Sequence, residues 1–177
     1  MLNYALLQER KEPYIAVTQP RRVAATESAE SVQSIFTSTR LQQEYQGGSK
    51  GDVGYQIGNE NRLGAKVNFF TVACLKNVLL HQRGMAQKFT HIVLDEVHER
   101  DLDTDFLALI VRNIINKNAS DGPKLIIMSA TLQLQVFETY FKQFYEGNVP
   151  PWNEARRLTV AIDTQMFDVE VKYPGLC

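Results

Sequence analysis

In "VLDEVHER", residues 93–100, an apolar triplet ends abruptly in two acids, followed by Val97, His98, Glu99 and Arg100. The triplet belongs to the run "HIVLD" 91–95, which is unbroken rather than alternating. Such runs suit strands buried on both faces of a parallel sheet. Six more short β-rich runs occur: "YIAVT" 14–18, "VGYQI" 53–57, "VNFFT" 67–71, "KLIIMS" 124–129, "LTVAI" 158–162 and "FDVEVKY" 167–173. Helical patterns lie between them, in "ATESAESVQSIF" 25–36, "FLALIVRNIINK" 106–117 and "QLQVFETYFKQF" 133–144. This alternation predicts a doubly wound, mostly parallel α/β domain. "QGGSKGD" 46–52 and "YEGNVPPWNEA" 145–155 are turn-rich and read as loops.

In open α/β sheets, ligands lie outside the carboxyl ends of the strands. Four polar sets stand there: Thr18-Gln19-Pro20-Arg21-Arg22, Thr71, Asp95-Glu96-Val97-His98 and Ser129-Ala130-Thr131. Asp95, closing a buried strand, is where a nucleoside triphosphatase places the acid that holds Mg²⁺, usually through water. Glu96 next to it could orient or deprotonate a water attacking the γ-phosphate. A solvated helix start, where the dipole favours acids, accounts for the same pair equally well. Arg21 and Arg22 alone read as a solvated pair beside a helix start. Ser129 and Thr131 alone read as a strand end capping the next helix.

Composition narrows the classes further. The 177 residues suit one ordinary domain, with 44% hydrophobic and 22% charged residues. A net charge of −1 gives no overall basic excess, so any nucleic-acid contact must come from local placement. Cys74 and Cys177 match no zinc spacing and suit a reduced setting, cytoplasmic or nuclear. No apolar run approaches the roughly 18 residues of a membrane span. "MLNYALLQERKEPY" 1–14 reads as a short amphipathic helix.

Two decoys fall away. Asp101, Asp103 and Asp105 have calcium-loop spacing, but the glycine position holds Phe106 and the final glutamate position holds Arg112. These acids read instead as the first turn of the following helix. In "GGSKGDVG" 47–54, Lys50 follows Ser49, no strand precedes the glycines, and a strand follows them. A phosphate-binding P-loop needs the opposite arrangement, and its pattern occurs nowhere in residues 1–177.

Taken together, "TQPRRVAA" 18–25, "VGYQIG" 53–58, "DEVHERDLDTDF" 95–106 and "MSAT" 128–131 resemble, in order and spacing, the first RecA-like domain of DEAH-box (DExH) RNA helicases. The resemblance covers nearly the whole chain. Val97 and "GYQIG" resemble the Tudor-domain-containing helicases of the germline small-RNA pathway. The resemblance implies ATP and Mg²⁺ as cofactors, with Asp95 on the metal through water and Glu96 on the hydrolytic water. It implies that His98 links the nucleotide site to strand separation, with Ser129 and Thr131 as coupling partners. Thr18, Gln19, Arg21 and Arg22 would follow the RNA backbone, where arginine gives charge-assisted bonds to phosphate. Thr71 would be a further RNA contact. The family usually has glycine two residues later for close backbone approach to RNA, and Ala73 stands there, which puts that contact in doubt if the position needs positive φ or contact with phosphate.

On this resemblance, residues 1–177 are a partial first RecA-like ATP-binding domain, incomplete at the N-terminus, without the P-loop strand and without the second RecA-like domain. The expected partners are RNA, that second domain and regulatory proteins, with no membrane. The chain alone is expected to hydrolyse ATP poorly or not at all. Two alternatives stay open: a non-catalytic nucleic-acid- or partner-binding module of the same fold, and a DNA helicase of the same superfamily.

Overall fold

Five of the seven apolar runs form strands of a single sheet. The computed structural model describes residues 12–38, 51–82, 84–117, 122–130, 136, 139 and 140. In chain order the elements are β1 (Ile15–Gln19), α1 (Arg22–Ser38), β2 (Val53–Ile57), β3 (Glu60–Arg62), β4 (Val67–Thr71), α2 (Val72–His81), α3 (Met85–Lys88), β5 (His91–Leu94), a 3-10 turn (Val97–Glu99), α4 (Leu102–Lys117) and β6 (Lys124–Ile127). The sheet order is β3-β2-β4-β1-β5-β6. Every neighbouring pair is parallel except the β2–β3 hairpin. This is the expected doubly wound α/β architecture, consistent with a RecA-like domain.

Burial follows the character of each run. The first four residues of β1 and β4 and all of β5 are buried, as unbroken apolar runs require when helices cover both faces. On one face, Ala25 and Ala29 of α1 pack against Ile15, Val17, Phe69 and Val93. Their small side chains bring the helix axis close to the sheet. On the other face, Val72, Leu75 and Val78 of α2 and Leu107, Ala108, Val111 and Ile115 of α4 cover Ala16, Phe70, Ile92 and Leu94. Lys76 and Asp103 form an ion pair between α2 and α4. β6 is half-buried along its length and pairs only with β5 among the described residues.

The elements differ from expectation at their ends. α1 begins at Arg22 and α4 at Leu102, earlier than their apolar periodicity suggests. The extra α4 turn contains Asp103 and Asp105, and the Asp101 carboxylate accepts the Thr104 N–H at 2.6 Å as a helix cap. The acids are thus a helix start, as their sequence context indicates. β3, α2 and the short α3 are additions to the expected elements. β3 is three exposed polar residues with no hydrophobic signal. α2 has apolar residues at 72, 75, 78 and 79, but it follows β4 so directly that the two read as one run. The runs 158–162 and 167–173, the N-terminal stretch 1–11, the loop 145–155 and most of 46–52 and 133–144 lie outside the described residues.

Beneath β5, Tyr14 stacks on Phe89 with centroids 5.2 Å apart, and Phe89 meets Phe70 edge-on at 6.1 Å. Burial raises the Tyr14 phenol above its ordinary 10.0. In the unfolded chain the phenol ionises at the lower value. Its stabilising contribution is therefore complete below that value and is lost as pH rises through the folded pKa. Urea melts should show the unaltered chain losing midpoint faster than Tyr14→Phe above about pH 10.

Candidate active site

The carboxyl ends of β1 and β5 lie side by side because these strands are parallel neighbours, with Val17 opposite Val93. Two residues further, on the same face, Gln19 meets Asp95. The Gln19 side-chain amide donates to Asp95 Oδ2 at 2.7 Å. Thr18, on the other face, donates its hydroxyl to the Val93 carbonyl at 3.4 Å and accepts the Asp95 N–H at 3.1 Å. The Glu96 N–H donates to Asp95 Oδ1 at 2.8 Å. The first acid is thus held at its backbone and at both carboxylate oxygens. Each oxygen keeps lone-pair capacity for another donor or a cation.

Glu96 has φ 54°, ψ 34°, in the left-handed region, and it starts the 3-10 turn. Non-glycine residues seldom occupy this region and persist there where surrounding structure enforces it. The enforcement is visible. Val97 is 1% exposed in the core and donates its N–H to the Met128 carbonyl at 3.3 Å. Met128 in turn donates to the Leu94 carbonyl at 2.8 Å, carrying the β5–β6 ladder one step beyond the strands. Seating Val97 inward forces the reversal at Glu96 and leaves the Glu96 side chain partly open to solvent. This explains the abrupt change of character after Leu94.

His98 Nδ1 lies 3.2 Å from Glu96 Oε2 and 3.4 Å from the Ala130 backbone nitrogen. A single ring nitrogen cannot serve both at once. Protonated, Nδ1 donates to Glu96; bare, it accepts from Ala130. The shorter, charge-facing contact to Glu96 is the stronger of the two. His98 thus lies between the acid pair and the segment after β6 and can bond to one or the other, according to its Nδ1 proton.

The sequence-expected residues fall into groups. Asp95, Glu96 and His98 come together, with half-buried Ser129 in the adjacent segment after β6. Thr131 lies outside the described residues. Arg21 and Arg22 are exposed at the start of α1. The Arg22 guanidinium lies over the β2–β3 turn, where a Cβ built on Gly58 would come within 3.3 Å of it. Thr71 is half-buried at the end of β4, in register with Gln19, and its hydroxyl makes no capping bond to α2. Ala73 sits inside α2, and among described non-glycine residues only Glu96 and Arg100 have positive φ. Ala73 therefore needs no positive φ, and its methyl group bears only on how closely phosphate can approach.

The side chains of Thr18 and Gln19 have partners within the fold. Thr18 is 1% exposed, its hydroxyl bonded to β5, and the Gln19 amide is directed at Asp95. The cause is strand register, which sets residue 19 beside residue 95.

Among the described residues no cluster of three or more His, Cys, Asp or Glu could cage a metal. A site with one anchored carboxylate and open surroundings does not suit zinc. It does suit Mg²⁺, which keeps several waters and takes one or two carboxylates plus substrate phosphates.

Comparisons with known proteins agree with this geometry. A family model described as DEAD/DEAH box helicase matches residues 1–139. The chain is 38% identical over 137 residues to a probable ATP-dependent RNA helicase spindle-E of Culex quinquefasciatus, covering 76% of this chain and 9% of that protein. Its Drosophila willistoni counterpart is 37% identical over 147 residues, covering 81% and 9%. That of Anopheles gambiae is 34% identical over 163 residues, covering 90% and 10%. These relatives fit the subfamily resemblance read from Val97 and "GYQIG". The chain thus spans only 9 to 10% of the length of these curated relatives.

Proposed function

The chain belongs to the DEAD/DEAH box helicase family, and from that premise we propose that it forms the nucleotide-facing and RNA-facing part of an ATP-dependent RNA helicase's first RecA-like domain. The observation that carries this reading is the anchored Asp95 beside partly open Glu96 at the mouth of β5, flanked by the ends of β1 and β6. Asp95 would hold Mg²⁺ through water. When bound, that ion neutralises charge on the terminal phosphates. Glu96 would orient the attacking water and accept its proton. His98, touching Glu96 and Ala130, would relay the state of the acid pair to Ser129 and Thr131. Arg21, Arg22 and Thr71, at the same edge of the sheet, would take RNA phosphates. A second RecA-like domain and regulatory proteins are the proposed protein partners, in cytoplasm or nucleus. No described helix is long and apolar enough to cross a membrane.

Binding of the chain to a fluorescent single-stranded oligoribonucleotide across a salt series tests the RNA side. Each phosphate contact contributes a slope of about −0.7 in log affinity against log salt for a single strand. Arg21→Ala and Arg22→Ala are each expected to flatten the slope by roughly that amount while lowering affinity on every sequence alike. A salt-independent interaction, or arginine variants that change nothing, would remove the RNA reading. Binding to single-stranded DNA of equal strength would favour the DNA-helicase alternative.

A further inference from the structure

We infer that Gln19 is a positioning residue for the metal-side carboxylate and not an RNA contact. This rests on the proposed reading of Asp95 and deepens it. Gln19 is the last residue of β1, and its side chain turns to the neighbouring strand: Nε2 donates to Asp95 Oδ2 at 2.7 Å. The parallel register places the two side chains on the same face, so the bond needs no unusual excursion of either backbone. Without it, Asp95 keeps only the Glu96 N–H on Oδ1 and the Thr18 hydroxyl on its own N–H. The carboxylate is then restrained through Oδ1 alone. Held at one oxygen, it turns more widely about its last torsion and presents the Oδ2 lone pairs to a hydrated cation over a broader range of directions. Gln19 selects one of them, as outer partners of metal ligands do.

The amide is suited to the task. It is a neutral donor and so does not compete electrostatically with the cation, as a lysine or arginine in that place would. Its planar NH₂ offers a second hydrogen, which leaves one N–H able to meet a water or phosphate oxygen beside Asp95. Pro20 follows directly, and its fixed φ limits how β1 leaves the sheet before Arg21 and Arg22. The chain therefore divides sharply: residues 18 and 19 serve Asp95, and residues 21 and 22 face outward.

The test compares the unaltered chain with Gln19→Leu and Arg21→Ala, each with a P-loop strand supplied ahead of residue 1, by two readouts. Mn²⁺ binding in the presence of ATP is followed by electron paramagnetic resonance, and RNA binding without nucleotide by fluorescence anisotropy. Gln19→Leu is expected to weaken Mn²⁺ binding about tenfold or more, in line with other outer-partner losses, while RNA affinity and its salt slope stay unchanged. Arg21→Ala should do the reverse. Equal Mn²⁺ binding by Gln19→Leu and the unaltered chain overturns the inference, as does a loss confined to RNA. An unaltered chain that takes up no Mn²⁺ with ATP overturns the nucleotide reading itself, a distinct outcome. Should Gln19→Leu not fold, the unaltered chain decides: Mn²⁺ with ATP must broaden the Gln19 side-chain amide resonances, and RNA must leave them in place.

Discussion

Replacing Glu96 with Gln is expected to abolish ATP turnover while leaving nucleotide and RNA binding in place. The substitution keeps the side chain's length and the left-handed turn, but removes the base that would take a proton from the attacking water. General-base contributions of this kind are worth about 10²- to 10⁴-fold in rate. Since no P-loop pattern occurs in residues 1–177, turnover by the chain alone is expected near background. The comparison is therefore made with a P-loop strand supplied ahead of the chain, measuring phosphate release under saturating ATP and Mg²⁺. Robust hydrolysis by the isolated chain that Glu96→Gln removes would show that nucleotide is gripped without that loop. Turnover that survives the substitution would move the chemistry away from Glu96. His98→Ala should have a smaller and different effect, because its contacts reach the Ala130 N–H as well as Glu96.

The position of this site is legible because it depends on strand ends, and strand ends follow from apolar runs. Runs at 53–57 and 67–71 coincide with β2 and β4, and the polar residues after β1, β5 and β6 sit along one edge. Which polar side chains face each other is not legible in the same way. That depends on register, and one strand's residues carry no record of their partner's alignment. Hence neither the Gln19 amide bond to Asp95 nor the burial of Thr18 against β5 is visible in the sequence. The left-handed Glu96 is equally hidden. Its cause is the burial of Val97 one residue later, a tertiary demand rather than a local preference.

The first glycine in "VGYQIG" offers the sharpest test of the fold. Gly54→Ala is expected to destabilise the chain by about 3 kcal/mol, at the upper end for overpacking, because the clash is with main chain. A Cβ on Gly54 would stand 2.1 Å from the Gly64 nitrogen and 2.2 Å from the Arg62 carbonyl oxygen. The opposing segment cannot retreat. Tyr55 pairs with Arg62 across the hairpin, and buried Asn68 clasps Gly64, accepting its N–H at 2.7 Å and donating to its carbonyl at 3.2 Å. Just beyond, the Ala65 and Lys66 N–H groups donate to the Gly51 and Asp52 carbonyls at 3.1 and 2.8 Å. Gly84 is the natural control: it has φ 83°, but an added Cβ there would meet nothing within 4 Å. Gly84→Ala therefore meets only the left-handed penalty of about 1 kcal/mol. Urea unfolding followed by circular dichroism separates the two through their midpoints. If Gly54→Ala melts with Gly84→Ala or above it, the close approach of β2 to residues 62–64 is not a fixed part of the fold, and the hairpin must be able to open without cost to the sheet.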